Sequence, residues 1–217
     1  QTVMKEARTR APRGFELATR AKFDRRSQHS QATSANVVGM LPGSDPALSN
    51  EVIAFTSHLD HVGIGAPVNG DKIYNGALDN AAGIAAMLGV GRLLAKQPEK
   101  LRRSVLFIAT TAEEKGLVGA DYFVSKPTVP VERLVGVINL DGAMPFYPLV
   151  DVIGYGAESS TLGSSLKEAA ASLNITVSPD LEPGQQFFTR SDHYPFVRRG
   201  IPGIFLIAGN AATPDGK

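Results

Sequence analysis

Ser104 to Thr111 reads SVLFIATT, seven residues of continuous apolar or small character closed by a second threonine. A strand that alternates polar and apolar residues has one wet face; a strand apolar throughout is buried on both. This stretch therefore predicts a strand inside a sheet with helices on both sides. The stretch EVIAFTSH, Glu51 to His58, reads the same way, as do LVGVINL, Leu134 to Leu140, and IPGIFLIA, Ile201 to Ala208. Further strands are predicted in NVVGMLPG from Asn36, in VDVIGY from Val150, and near Ile175 to Val177. Between them lie helical patterns. Asn80 to Lys96 is rich in small residues and has Pro98 just beyond it. Gly116 to Ser125 and Asp192 to Arg199 are short helices. Ser160 to Leu173 puts Leu162, Leu166, Ala169, Ala170 and Leu173 on one face. Strands alternating with helices predict an α/β fold, with a mostly parallel mixed sheet between two helical layers.

The chain's 217 residues, 43% of them hydrophobic, are enough for one large core. Twenty-two basic and 21 acidic residues are well mixed, so no basic stripe points to nucleic acid. There is no cysteine, so disulfides and thiolate metal sites are excluded. No membrane span is expected, because the apolar stretch Ala81 to Ala95 is short, glycine-studded and broken by Arg92. The first residues, QTVMKEARTR, carry neither an initiator Met nor an apolar leader core, so the chain reads as a piece of a longer one. Residues 1–35 are basic and weakly patterned. Phe15, Leu17, Thr19, Ala21 and Phe23 alternate with other residues there and suggest one strand. The stretch from Asp60 to Leu78, rich in Gly and Asn, reads as a long functional loop.

The polar outliers collect at one edge of the predicted sheet. His58 and Asp60 follow EVIAFT, Glu113 and Glu114 follow SVLFIATT, and Asp141 follows LVGVINL. Ligands bind outside the carboxyl ends of strands in open α/β sheets. Asp79 lies just before a helix, and His193 opens another. Each has an ordinary explanation alone: Asp79 as a helix cap, the Glu pair as a solvated helix start, Asp141-Gly142 as a turn. Together they are a set of imidazole and carboxylate donors suited to zinc, with cobalt or manganese as alternatives. Five donors, His58, Asp79, Glu114, Asp141 and His193, exceed one zinc and fit two that share a carboxylate. Neighbouring side chains on an extended segment point oppositely. One of Glu113 and Glu114 can then bind metal while the other serves as base. Asp60 is placed to accept the second N–H of His58. His61 is a weaker ligand candidate, read as a loop residue beside the site. Phe187, Phe188 and Tyr194 either line a substrate pocket or pack as core. No G-x-S-x-G elbow and no phosphate-binding glycine loop is present.

HLD, GALDNAAG, TAEEKGLVGA, INLDG and SDHYPF, in this order, resemble the two-zinc exopeptidases of the aminopeptidase Y and bacterial leucyl aminopeptidase type, relatives of glutamate carboxypeptidase II and glutaminyl cyclase. The resemblance runs from about Asn36 to Gly209 and implies the zinc-exopeptidase (phosphorylase/hydrolase-like) fold. It implies that His58 and Asp141 hold one zinc, Glu114 and His193 the other, and that Asp79 bridges them. Glu113 would be the general base, Asp60 would orient His58, and a cis peptide would follow Asp79. The implied activity is removal of a peptide's N-terminal residue through a metal-bridging hydroxide, with apolar first residues preferred. A carboxypeptidase or dipeptidase of the glutamate carboxypeptidase type is the alternative, as is an inactive binding scaffold. Some relatives place a tyrosine where Asp192 stands here, with Tyr194 on the other side of His193. Relatives also continue past the last strand, and many carry an inserted protease-associated domain. Residues 1–35 are accordingly expected to be a connector or the remnant of such an insertion, and residues 36–217 a catalytic domain lacking a C-terminal segment. A secreted or periplasmic location follows from the resemblance alone.

Overall fold

The structure, a computed structural model, describes residues 16–142 and 148–209. The chain divides into two units, residues 1–33 and residues 34–217. The described part of the first unit, residues 16–33, is exposed and has no regular secondary structure. The strand expected from Leu17 to Phe23 is not formed, and Phe15 lies outside the described residues. Leu17 and Phe23 are 67% and 91% exposed, so the alternation has no apolar face to bury and no partner edge to pair with.

The second unit is built on a seven-stranded mixed sheet. Its strands are β1 (Val37–Leu41), β2 (Val52–His58), β5 (Ser104–Thr110), β6 (Leu134–Leu140), β7 (Asp151–Tyr155), β8 (Thr176–Ser178) and β9 (Gly203–Ala208). Their order across the sheet is β1-β5-β2-β6-β9-β7-β8. The four central strands, β5, β2, β6 and β9, run parallel; β1 and β7 are antiparallel to their neighbours β5 and β9. SVLFIATT thus lies inside the sheet, as its apolar run requires.

The helices are α1 (Gly83–Lys96), α2 (Val118–Ser125), α3 (Leu162–Ser172) and α4 (Tyr194–Val197). Two layers follow from strand alternation. Val52, Ala54, Leu106, Ile108 and Val137 join Ala120, Phe123 and Val124 of α2 and Phe196 of α4 in one core. The opposite face carries Phe107, against which Gly91 of α1 packs, and Gly136, against which Leu162 of α3 packs. Leu173, expected on the buried face of α3, is instead 68% exposed, because the helix ends at Ser172 and Leu173 is already its cap.

The helical stretch Ala77–Lys96 is long and apolar enough to cross a bilayer by length and composition alone. It is broken by non-helical backbone at Asp79 and Asn80, and α1 packs along β2, β5 and β6 as a layer of the core.

The segment from Asp60 to Leu78 is not a plain loop. It folds into a hairpin of β3 (Gly63–Val68) and β4 (Asp71–Tyr74). Its turn is Asn69-Gly70, both with positive φ (50° and 88°), the backbone that Asn-Gly hairpin turns require.

Candidate metal centre

Parallel register brings the polar outliers to one level. His58 is the last residue of β2 and pairs with Thr110, the last of β5. Thr56 pairs with Asn139 of β6; two residues on, and on the same face, come His58 and Asp141. Past β5 the chain turns sharply. Ala112 and Leu117 adopt positive φ (54° and 60°) on either side of a short 3-10 turn holding Glu113 and Glu114. Non-glycine residues pay for that backbone, which concentrates where function fixes geometry. The turn is held by Gly119 N–H donating to Thr111 O at 2.9 Å. It is also held by Glu113 N–H donating to the Asp60 carboxylate at 3.1 Å.

Among the described residues, two groups of donors form. In the first, ligand atoms of His58, Glu113 and Asp141 lie within 4.8 Å of one another; in the second, those of His61, Asp79 and Glu114 do. Asp79 connects the groups, with Oδ1 also 3.1 Å from His58 Nε2. Asp141 Oδ1 stands 3.3 Å from the same nitrogen. The Asp79–Asn80 peptide is cis.

His58 is oriented by Asp60, but through its backbone carbonyl rather than its carboxylate. Its Nδ1 lies 3.0 Å from the backbone carbonyl of Asp60, while the Asp60 carboxylate is 3.9 Å away and engaged with Glu113. A carbonyl only accepts, so Nδ1 carries the proton and Nε2 faces the two carboxylates. Asp79 does not cap the helix either. That task falls to Asn80, whose Oδ1 accepts Gly83 N–H at 3.0 Å and Gly142 N–H at 3.1 Å. Its amide donates to Ser57 Oγ at 3.1 Å and Leu140 O at 3.0 Å. All four bonds of this buried side chain tie β2, α1 and the turn after β6 together.

A directed relay supports Asp141. Thr56 Oγ donates to Asn139 Oδ1 at 2.7 Å, Asn139 Nδ2 to Ser191 Oγ at 2.7 Å, and Ser191 Oγ to Asp141 Oδ2 at 2.6 Å. The motif RSDH thus contributes its serine to the site. Its aspartate, Asp192, is fully buried and accepts from Thr110 Oγ at 2.5 Å. Sequence reading missed Asn80, Asn139, Thr56 and Ser191, because uncharged side chains that fill hydrogen bonds leave no composition signal.

His193 does not join either group. Its ring packs between Phe188 and Phe205, at 5.1 and 5.6 Å between centroids, and both nitrogens are buried without a partner among the described residues. Its Cβ stands over Gly203 at the start of β9, which pairs with Val137. Burial pushes the His193 imidazole down to about 4, opposed in part by the Asp141 charge. Phe187 packs on Tyr155 at 5.5 Å and Phe188 on His193, with Tyr194 at 6.3 Å from Phe188. Phe188 also lines a cleft of roughly 740 Å³ with residues of β7, α3 and β8. Because β7 runs against β9, that cleft opens on the opposite edge of the sheet from the two donor groups. A second cavity of about 360 Å³, lined by Leu59, His61, Tyr74, Asn75 and Ile84, adjoins the donors.

The electrostatics suit a cation. Burial pushes the Glu113 carboxyl up to about 8, reinforced by Asp192, Asp141 and Glu114. Burial and the Asp141 charge raise Asp79. Burial opposes charge on His58, but the hydrogen bond and charge of Asp141, with Glu113 and Asp192, push it up to about 10. Burial opposes charge on Asp141 too, yet bonds from His58 and Ser191 hold it below the usual range. Carboxylates this close repel one another, and bound divalent cations relieve that repulsion. The donors are those zinc accepts, two of them imidazoles, one from each group. The residues present fit a metal pair.

Comparison with known proteins agrees with this chemistry. The model of Peptidase family M28 matches residues 36–216. Leupeptin-inactivating enzyme 1 of Streptomyces exfoliatus is 31% identical over 184 residues, 83% of this chain and 37% of that protein. A probable leucine aminopeptidase 2 of Aspergillus oryzae is 30% identical over 193 residues, 84% of this chain and 35% of that protein. Among solved structures, the zinc aminopeptidase BSAP of Bacillus subtilis superposes with TM-score 0.60 at 24% identity, over 82% of this chain and 41% of that one. The likeness in structure establishes the shared fold. The chain spans just over a third of the length of these curated relatives.

Proposed function

The chain belongs to peptidase family M28, and we propose on that premise that it acts as a zinc-dependent aminopeptidase. The observation that carries the reading is the position of Asp79. One carboxylate stands 3.1 Å from the imidazole of the first donor group and is itself a member of the second. A shared carboxylate is what a pair of close divalent cations needs. His58 and Asp141 would hold one cation, Glu114 the other, and Asp79 both. Bound there, two zinc ions supply Lewis acidity, polarising the scissile carbonyl and acidifying water.

The remaining work falls to this chain's own groups. Glu113 is half-buried beside the first group and has a carboxyl pushed up to about 8, near the pH at which a base must both take and return a proton. Its carboxylate takes the proton of the attacking water and delivers it to the leaving amine nitrogen. The Asp60 carboxylate fixes the Glu113 backbone by accepting its N–H, and the Asp60 carbonyl fixes His58. Ser191 holds the second oxygen of Asp141 and so directs the first toward His58. Excess negative charge beside the cations favours a substrate's free ammonium group. The carboxypeptidase alternative needs a basic group to hold a substrate carboxylate. The arginine beside a motif, Arg190, lies over the Phe187 ring in the aromatic cluster.

The test is turnover of a panel of aminoacyl p-nitroanilides, their N-acetylated forms and N-acetylated peptides with a free carboxylate, with zinc added after chelation. Zinc-dependent cleavage restricted to free amines supports the reading. Cleavage of N-blocked peptides with a free carboxylate instead would replace it with the carboxypeptidase alternative. Zinc binding without any cleavage would leave a scaffold.

A further inference from the structure

We propose that His61 is a positioning residue of the metal centre, whose imidazole holds Glu114 in place as a ligand of the second cation. The inference rests on the two-cation reading of the same site and adds to it a residue that touches no metal. It leaves the ligand place that motif resemblance gives to His193 as it stands. His61 Nδ1 lies 2.6 Å from Glu114 Oε1. A carboxylate only accepts, so Nδ1 donates. Among the described residues, this is the hydrogen bond that the Glu114 carboxylate receives. The other terminal carboxylate is held in the same manner, by Ser191 Oγ donating to Asp141 Oδ2 at 2.6 Å. Each of the two has one oxygen fastened by a donor from a distant segment, 53 residues away for Glu114 and 50 for Asp141. A fastened carboxylate has less rotational freedom to lose when it binds a cation.

Backbone geometry brings the two side chains together. Glu114 lies on the short turn after β5, between the positive-φ residues Ala112 and Leu117. That turn fixes its backbone and leaves its long side chain to be oriented by a neighbour. On the other side, His58 ends β2, and Leu59 N–H donates to Thr110 O at 2.8 Å, continuing the ladder by one bond. The chain then leaves the sheet, and His61 meets the turn that carries Glu114. His61 is held from behind by Gly76. A Cβ built there would lie 2.7 Å from His61 Cβ and 2.8 Å from Asp79 O. Only glycine, here with φ +68°, lets His61 and Asp79 come this close. Gly76 is itself fixed, its carbonyl accepting Ala81 N–H at 3.0 Å. Polar atoms of His61, Asp79 and Glu114 then fall within 4.8 Å of one another. His61 also lines the cavity of about 360 Å³ and is 22% exposed, so packing encloses it only in part. Gly76 and the bond to Glu114 together fix the ring.

The test is zinc affinity by competition with a chromophoric chelator, with the visible spectrum of the cobalt-loaded protein as a second readout. It uses the whole chain and its His61→Leu and His61→Asn variants, with circular dichroism to establish folding. Leucine keeps bulk and removes the donor; asparagine places an amide nitrogen close to where Nδ1 stands. The parent chain and both variants should bind two zinc ions at saturation. In His61→Leu one of the two binding steps should weaken by about 10–100-fold, the range for losing an outer partner of a ligand. Its cobalt spectrum should change with it. In His61→Asn both affinity and spectrum should return toward the parent's, a rescue that a merely structural role for the ring would not give. Parental affinity and spectrum in His61→Leu would overturn the proposal and leave the two-cation reading standing. So would an asparagine variant as weak as the leucine one, since the donor would then not be what matters. A single zinc ion in saturated His61→Leu would overturn it as well, because a positioning residue changes affinity and not the number of sites. Fewer than two zinc ions in the saturated parent chain would remove the two-cation reading and this inference with it.

Discussion

Asn80 allows the sharpest test of how the site is built. Replacing it with alanine removes four hydrogen bonds, to Ser57 Oγ, Leu140 O, Gly83 N and Gly142 N. Three of the orphaned partners are backbone groups at a site where Asn80 is 2% exposed. Each buried polar group left unsatisfied costs about 1–3 kcal/mol. Water entering the vacated space would recover part of this, and the three losses are not additive. A net loss of about 3 kcal/mol is therefore expected at the low end of the range. For a chain of this length, 1 kcal/mol moves the thermal midpoint by about 2–4 °C, so Asn80→Ala should melt roughly 6–12 °C below the parent. The assay is thermal unfolding by circular dichroism in excess chelator, so that metal linkage does not enter. Asn80→Asp is the companion: it keeps the two acceptor contacts and replaces the donor amide with an oxygen facing Leu140 O. It should fall between the parent and the alanine variant. A shift below about 2 °C for Asn80→Ala would refute the reasoning, because the four bonds would then be incidental to the geometry of the site.

Three other outcomes are expected. Glu113→Gln should lower turnover by about 10²-fold or more while leaving metal content unchanged; loss of metal together with activity would show that the two glutamates' roles are exchanged. Ser191→Ala should keep the fold yet weaken metal binding about 10–100-fold, read by zinc competition, since it unfastens one oxygen of Asp141. Metal-free stability should fall as pH rises. Glu113, pushed up to about 8, keeps in the folded state a proton that the unfolded chain has already lost above its ordinary value of 4.5. His58, pushed up to about 10, does the same above 6.5. The folded state binds more protons across both windows, so the metal-free melting midpoint at pH 9 should lie below that at pH 6. Zinc should reverse the trend, because it binds by displacing those protons; a metal-free midpoint that rises across that range would contradict the assigned shifts.

Much of this protein was legible along the chain. Strands apolar on both faces, such as SVLFIATT, must be interior and parallel, and acids placed just past their ends must meet at one edge. Period-2 alternation with parallel register made that convergence of His58, Asp141 and the Glu113–Glu114 pair predictable without coordinates. The Asn69-Gly70 hairpin was missed: the dipeptide favours a tight turn of positive φ, but its glycine-rich surroundings read as loop. The alternating residues from Leu17 to Phe23 misled for the opposite reason: alternation describes a strand only when a sheet edge accepts its backbone. Which donors face one another was beyond the sequence. Motif order placed His193 with the ligands; in the fold its ring lies between those of Phe188 and Phe205 and it interacts electrostatically with Asp141, while His61 meets Glu114 across 53 residues of chain. The same holds for Asn80 and Ser191, whose bonds reach 60 and 50 residues away. Local patterning is a property of neighbours in the chain and so can be read from it. The direction of a side chain at a strand end is set by packing from distant segments, and that only the assembled fold decides.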